Sequence, residues 1–306
     1  MDRIVDFLQA LRDGKVIFFD GGMGTELAAR GAPPSAVSTL DAPEAVLAVL
    51  RDYRQAGADV LLTNTFGANE PSLARAGRTQ DLERCVAESV RIAREALQGG
   101  PGWLAGDIGP SGEFLEPYGS FTPERMKAVF EQPARLLAEA GVDLFIVESM
   151  SHAGEMALAV QACRAVAPEL PIVASMAFDP ARGGFRTNTG LEAGAAAKAM
   201  AEAGADIIGA NCGSVTPLQM IEIVRAFRAV TDRPILIQAN AGLPELLGGR
   251  TVYRLAPEAF ASNIVEALRA GAGLAGGCCG TTPAHIRALR QAVEQAGMAT
   301  ASHKGR

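Results

Sequence analysis

ADIIGANCG (205–213), followed at once by TPLQMIEIVRAFRAV (216–230), is the stretch that decides the fold. The first segment is a short apolar run closed by Gly213, too brief for a helix and apolar without alternation, as expected of a strand buried on both faces of a parallel sheet. The second repeats its apolar residues at helical spacing behind a Thr-Pro start signal. Seven more apolar runs lie along the chain: KVIFFD (15–20), ADVLLTNT (58–65), WLAGDIG (103–109), VDLFIVES (142–149), PIVASMAF (171–178), PILIQANAG (234–242) and GAGLAGGCC (271–279). Helical periodicity follows each of them, as in PEAVLAVLRDYRQAG (43–57) and AGEMALAVQACRAV (153–166). Eight such units predict an α/β fold, a (β/α)8 TIM barrel formed as a single domain over residues 1–296. Residues 297–306 are expected to be a disordered tail. The competing open doubly wound sheet lacks its nucleotide fingerprint, because DGGMGTEL (20–27) does not match G-x-G-x-x-G.

Composition narrows the function classes. Of 306 residues 48% are apolar, enough for a large core, and 34 acidic against 28 basic residues give a net charge of −6, which argues against nucleic acid or an anionic membrane as partner. The N-terminal MDRIVDFLQALRDGK is a polar amphipathic helix rather than a leader, and no run of 18 apolar residues occurs, so a cytoplasmic location is expected. Five cysteines in so long a chain favour metal or catalytic use over a disulfide framework.

A barrel should collect its working residues where strands end. Those positions carry Asp20-Gly21-Gly22, Thr63-Asn64-Thr65, Asp107, Glu148-Ser149, Asn211-Cys212, Gln238 with Asn240, and Cys278-Cys279. Strands six and eight flank strand seven, so Cys212, Cys278 and Cys279 are expected to converge, with Asn240 between them. Three thiolates without a nearby histidine suit a zinc ion that keeps one position open; a closed four-cysteine site lacks its fourth sulfur at this rim. Gly276, Gly277 and Gly280 are expected to supply conformations barred to other residues, so that adjacent cysteines can reach one ion. No C-x-x-C occurs, and a disulfide between neighbours is strained, which disfavours redox exchange. Cys85 and Cys163 fall inside helices and read as core.

A zinc-bound thiol is deprotonated at neutral pH, whereas a free one is mostly protonated. The chemistry suggested is alkyl transfer to a substrate thiol. None of the four lysines (15, 127, 198 and 304) lies at the C-terminal end of a strand, which argues against Schiff-base chemistry. An amino-acid thiol would place its ammonium against Asp20 and Glu148 and its carboxylate against the glycine-turn amides of DGGMGT, Gly21 and Gly22. The blander readings are helix capping for Asp20, an ion pair for Glu148, and capping or a site role for His152. His285, in the first turn of the last helix, is expected to be exposed.

Together DGGMGTEL, AGADVLLTNTFGAN, DIGPSGEFLEPYG, GANCG, NAG and GGCCGTTPAHI resemble the homocysteine S-methyltransferase family over nearly the whole chain. That family includes the homocysteine domain of cobalamin-dependent methionine synthase, betaine–homocysteine methyltransferases and S-methylmethionine enzymes. The resemblance implies a zinc-dependent barrel that methylates homocysteine to methionine, with Cys212, Cys278 and Cys279 as ligands and homocysteine sulfur in the open position. It makes Asn240 the oxygen that fills this position without substrate, and brings the amino-acid end of homocysteine to Asp20, Gly21, Gly22 and Glu148. The wording of TNTFGAN and DIGPSG leans toward a methyl-corrinoid donor, which would arrive free or on a partner protein because the chain lacks D-x-H-x-x-G. Betaine or S-methylmethionine is the alternative donor; a betaine cage would need Phe114, Tyr118 and Phe121 of the third loop. Another thiol or selenol acceptor, or a non-catalytic zinc- or thiol-sensing barrel, are the competing readings, and the sequence sets no oligomeric state.

Overall fold

The computed structural model describes residues 2–97 and 100–301. Eight parallel strands run β1 (Ile17–Phe18), β2 (Val60–Leu62), β3 (Trp103–Ile108), β4 (Leu144–Met150), β5 (Ile172–Met176), β6 (Ile207–Asn211), β7 (Ile235–Ala239) and β8 (Leu274–Gly277). Their order around the sheet is β1-β8-β7-β6-β5-β4-β3-β2, and β1 returns to β2 through a parallel bridge between Phe19 and Val60. The (β/α)8 barrel expected from the alternating runs is therefore the fold observed.

Each strand carries two apolar faces because each faces two cores. Ile17, Phe19, Val60, Ile146 and Leu236 fill the barrel interior, while Phe18, Leu61, Leu104 and Phe145 pack outward under the helices. The N-terminal helix α1 (Asp2–Arg12) plugs the bottom, where Phe7 meets Trp103 edge-on at 5.3 Å and the Trp103 indole donates to Arg3 O. The chain also returns here: Val16 N donates to Ala299 O and Ala301 N to Val16 O. The first part of the segment expected to be a loose tail is thus bonded to β1, and residues 302–306 lie outside the described residues.

A repeat that the periodicity did not reveal organises this lower rim. Three strands are entered through A-G-A/V-D, at 56–59, 140–143 and 203–206. In each, the glycine adopts a left-handed φ, open to it at no steric cost, and the aspartate reaches back to the preceding strand. Asp59 accepts from Phe18 N (3.0 Å), Asp143 from Leu104 N (2.8 Å) and Asp206 from Ile172 N (2.9 Å). Arginines from the outer ring pair with them: Arg290 with Asp59, Arg94 with both oxygens of Asp143, and Arg164 with Asp206. The fourth copy reads A-G-A-G (270–273), where Arg228 still donates to Gly271 O but Gly273 stands in place of the aspartate.

Removing a buried acceptor that also holds an arginine strands two donors. Asp143→Ala is therefore expected to lower the unfolding free energy by about 2–3 kcal/mol in urea titration. Gly273→Asp, whose added Cβ would meet nothing within 4 Å, is expected to raise the melting temperature by completing the fourth clamp.

Candidate functional site

The upper rim gathers sulfur. Cys212 follows β6 and Cys278 and Cys279 follow β8; Cys212 Sγ lies 3.9 Å from Cys279 Sγ, and the three sulfurs all lie within 4.8 Å of one another. A tetrahedral zinc with bonds of about 2.3 Å spaces its sulfurs about 3.8 Å apart, so the cluster fits that ion. Backbone bonds to β7 hold the set: Cys278 N donates to Ala239 O (2.8 Å) and Ala241 N to Cys279 O (3.0 Å). The sequence places three glycines around the pair, and they serve different ends. Only Gly280 is left-handed (φ 75), seated under the Tyr253 ring; Gly276 and Gly277 are bare because a Cβ would lie 2.7 Å from Phe19 Cβ and 2.2 Å from Thr281 Oγ1. The expectation that all three supply barred conformations is corrected to one.

Without a cation the three thiols cannot all ionise. Hydrogen bonds from Cys212 and Cys278, aided by the Tyr253 hydroxyl, draw Cys279 down to about 3. Cys278 moves up, through its hydrogen bonds with Cys212 and Cys279 and its burial. A dication would relieve this repulsion and allow three thiolates.

The DGG turn after β1 locks onto the cysteine turn after β8. Gly22 N donates to Thr281 Oγ1 (3.1 Å), which itself donates to Cys278 O (2.7 Å), and Gly280 N donates to Thr25 Oγ1 (3.1 Å). A Cβ on Gly22 would stand 2.6 Å from Cys278 O, and one on Gly21 2.7 Å from the Tyr53 hydroxyl. The Gly22 amide, expected to meet a substrate carboxylate, is here committed to Thr281. The seven-residue helix α2 (Met23–Ala29) that follows takes no side-chain cap, so Asp20 is not a helix cap. Instead Asp20 stitches the β1–β2 seam: its Oδ2 accepts from Leu62 N (2.8 Å), which fixes the carboxylate and leaves Oδ1 buried without a partner.

Glu148, at the end of β4, is likewise buried, and no ion pair of the described residues involves it. Asp107 completes an acidic trio that sequence reasoning had placed on the rim but not in the site. Burial raises Asp20 to about 7; burial, then Asp20 and Cys279, raise Glu148 to about 8; and burial, then Glu148 and Asp20, push Asp107 up. Among the described residues, five buried side-chain polar atoms lack a partner, and four of them are acceptors at strand ends: Asp20 Oδ1, Asp107 Oδ1, Gln238 Oε1 and Asn240 Oδ1. Asn240 also donates to Gly213 O (2.9 Å). Buried acceptors without donors could be satisfied by a bound cation.

Cys212, Cys278, Cys279, Asp107, Glu148 and Gln238 line a cavity of about 1400 Å³, and Asp20 and Asn240 are not among its lining residues. Its outer part is walled by small apolar residues, among them Ala28, Ala36, Val37 and Leu73, with Phe66 and Tyr253 the aromatic lining residues and Asp107 and Glu148 the charged ones. Tyr253 follows the 245–252 hairpin in the loop after β7, a position no motif marked. Phe114 and Tyr118 point outward, 69% and 87% exposed, and Phe121 packs on Arg125 at 5.7 Å, so the third loop builds no ring cage over the cavity. His152 is the N-cap of α8 (Ala153–Val166), accepting from Glu155 N. His285 is buried rather than exposed: it closes a capping box with Thr282 at the start of α12 (Pro283–Gln295) and contacts Leu255 O through Nε2 (2.9 Å). Cys85 and Cys163 lie fully buried in α6 (Leu82–Leu97) and α8.

Comparison with known proteins points the same way. A methionine synthase of Mycobacterium tuberculosis is 32% identical over 94% of this chain, which spans 25% of that relative's length. Betaine–homocysteine S-methyltransferase 1 of Danio rerio is 28% identical, with 93% of this chain and 74% of the relative aligned. The metallated form of the homocysteine methyltransferase MmuM from Escherichia coli superimposes with a TM-score of 0.75 at 25% identity, covering 93% of this chain and 99% of that one. The family profile described as homocysteine S-methyltransferase matches residues 17–293, and the chain belongs to that family.

Proposed function

We propose that this protein is a zinc-dependent methyltransferase that moves a methyl group onto the thiolate of homocysteine, giving methionine, and that its donor is a methyl-corrinoid. The observation that carries the reading is a three-sulfur cluster lining one cavity together with Glu148, Asp107 and Gln238, the last two each with a buried acceptor oxygen that lacks a partner. The sulfurs suit a metal, and the oxygens suit an ammonium a few bonds away from a thiol.

Cys212, Cys278 and Cys279 would hold the zinc, which when bound keeps an incoming thiol deprotonated at neutral pH. The E. coli relative has been captured in a metallated form, which supports the assignment. Asp20, Asp107 and Glu148 would take the acceptor's ammonium, and that charge would compensate carboxylates whose ionisation is otherwise opposed by burial. Asp20 is pre-set for this by its bond to Leu62 N, so little ordering remains to be done when substrate enters. Gly21 and Gly22 would act mainly by their smallness, letting the β1 turn approach the cysteines. Asn240, with its Oδ1 free of partners, is the oxygen best placed to face a cation before substrate arrives.

The donor follows from what walls the rest of the cavity. Its volume of about 1400 Å³ exceeds the roughly 300–1,000 Å³ that holds a drug-sized ligand. Among the described residues no lysine or arginine lines it to receive the carboxylate of betaine, and two aromatic rings do not enclose a quaternary ammonium. A broad, uncharged, apolar space suits a large corrinoid face, delivered free or on a partner protein.

Purified zinc-loaded protein and homocysteine are expected to yield methionine with methylcobalamin, and not with betaine or S-methylmethionine; turnover with betaine alone would reassign the donor, and no turnover with any donor would refute the enzyme reading. Cys279→Ala is expected to lose zinc and methyl transfer together while keeping its circular dichroism spectrum. Glu148→Gln is expected to raise the homocysteine KM about 10- to 100-fold, the loss of one charge-assisted contact.

The pH dependence has two opposite signs. Holding an ammonium requires ionised Glu148 and Asp20, so the apparent affinity for homocysteine should rise as pH climbs through about 7 and about 8. Stability should fall over the same range: unfolded Glu148 loses its proton near 4.5 and folded Glu148 near 8, so between them the native chain holds more protons. The melting temperature of metal-free protein is expected to decline from about pH 5 to about pH 8, and Glu148→Gln to flatten the decline.

A further inference from the structure

Asn211, the last residue of β6, is fully buried and uses its whole carboxamide. Its Oδ1 accepts from Ser149 N (3.0 Å) and from Ser175 Oγ (2.7 Å). Its Nδ2 donates to Ser149 Oγ (2.7 Å) and points at Cys278 Sγ (3.9 Å). One side chain thus grips three strand ends. The residues it grips or adjoins are also the two non-glycine residues with left-handed backbone among the described ones, Ser149 at φ 58 and Cys212 at φ 55. Such conformations are strained and persist only where neighbours over-determine them. Ser149 directly follows Glu148, and Cys212 directly follows Asn211, so both strained turns aim a functional side chain.

We infer that Asn211 is a positioning residue that ties the ammonium seat to the sulfur cluster. Its carbonyl oxygen and one amide hydrogen hold Ser149 in the turn that presents Glu148; its other amide hydrogen supports negative charge on Cys278. The inference rests on the reading of the cluster as a metal site and of Glu148 as part of the acceptor site. A mere packing role would need neither the sulfur contact nor the double bond to Ser149, since an apolar residue would fill the same space. Partners that orient ligands in this manner are typically worth 10–100-fold in metal affinity.

Two variants separate the functions. Asn211→Asp keeps an acceptor for Ser149 N and Ser175 Oγ, but replaces the donor near Cys278 with a negatively charged oxygen. Asn211→Ala removes both arms. Zinc affinity is measured by chelator competition, and cobalt(II) substitution supplies the thiolate-to-metal absorption band. Asn211→Asp is expected to fold, to melt below the wild-type temperature because burial opposes its charge, to bind zinc about 10- to 100-fold more weakly, and to shift the cobalt band. Asn211→Ala is expected in addition to raise the homocysteine KM more than it lowers kcat, because Glu148 loses its anchor. If Asn211→Ala fails to fold, the Asn211→Asp metal titration decides alone. Wild-type zinc affinity together with an unshifted cobalt band in Asn211→Asp would overturn the inference. A wild-type protein that turns over no donor, beside an Asn211→Asp variant with weakened zinc, would refute the methyltransferase reading and leave the tie to the sulfur cluster standing.

Discussion

Barrel closure is the constraint on which the site depends. Cys212 and Cys279 lie 67 residues apart in the chain and meet at 3.9 Å because β6, β7 and β8 are neighbours in one parallel sheet whose ends share a rim. Closure itself is thin where the first strand meets the second: β1 is two residues long, and a single bridge joins Phe19 to Val60. Two backbone bonds cross there, from Asp59 N to Phe18 O (2.7 Å) and from Asp20 N to Val60 O (3.1 Å), and side chains extend the ladder, Asp59 accepting from Phe18 N below and Asp20 from Leu62 N above. Asp20 consequently serves the fold with one oxygen and keeps the other buried without a partner.

Electrostatics explain why such a site needs its ligands. Two carboxyl groups, Asp107 and Glu148, and three thiols line one cavity, with no cationic side chain among its described lining residues. Burial raises the proton affinity of Asp20, Asp107 and Glu148, and mutual hydrogen bonding lets one thiol of the cluster ionise readily while its neighbours are held protonated. A dication and an ammonium would each convert an opposed ionisation into a favourable one. The lower rim follows the opposite plan, with buried Asp59 and Asp143 and half-exposed Asp206 each supplied with an arginine.

Much of this was legible from residue order alone. Unbroken apolar runs alternating with helical periodicity indicate the barrel, and a strand-end position is what Cys212, Cys278, Cys279, Asp20 and Glu148 share, because strand ends form one rim in a closed sheet. What escaped notice has physical reasons. Asp107 sat in the same rim pattern, but only burial beside Glu148 distinguishes it from a solvated rim carboxylate. Tyr253 arrives on an irregular loop after a hairpin, where no period fixes direction. Asn211 looked like a neighbour of the cysteine, since side-chain bonds to another strand leave no trace in local sequence. Gly276 and Gly277 were read as conformational devices, whereas contact with Phe19 and Thr281 keeps them bare. His285 seemed exposed because a first-turn position ordinarily is, and it is covered by the loop through Leu255.

The most direct test of the account is the number of sulfurs around the metal, read by X-ray absorption at the zinc edge of the purified protein before and after homocysteine is added. The account predicts three sulfur scatterers with one lighter atom at first, and a fourth sulfur once homocysteine is present. Four sulfurs from the outset, or a shell unchanged by homocysteine, would contradict it.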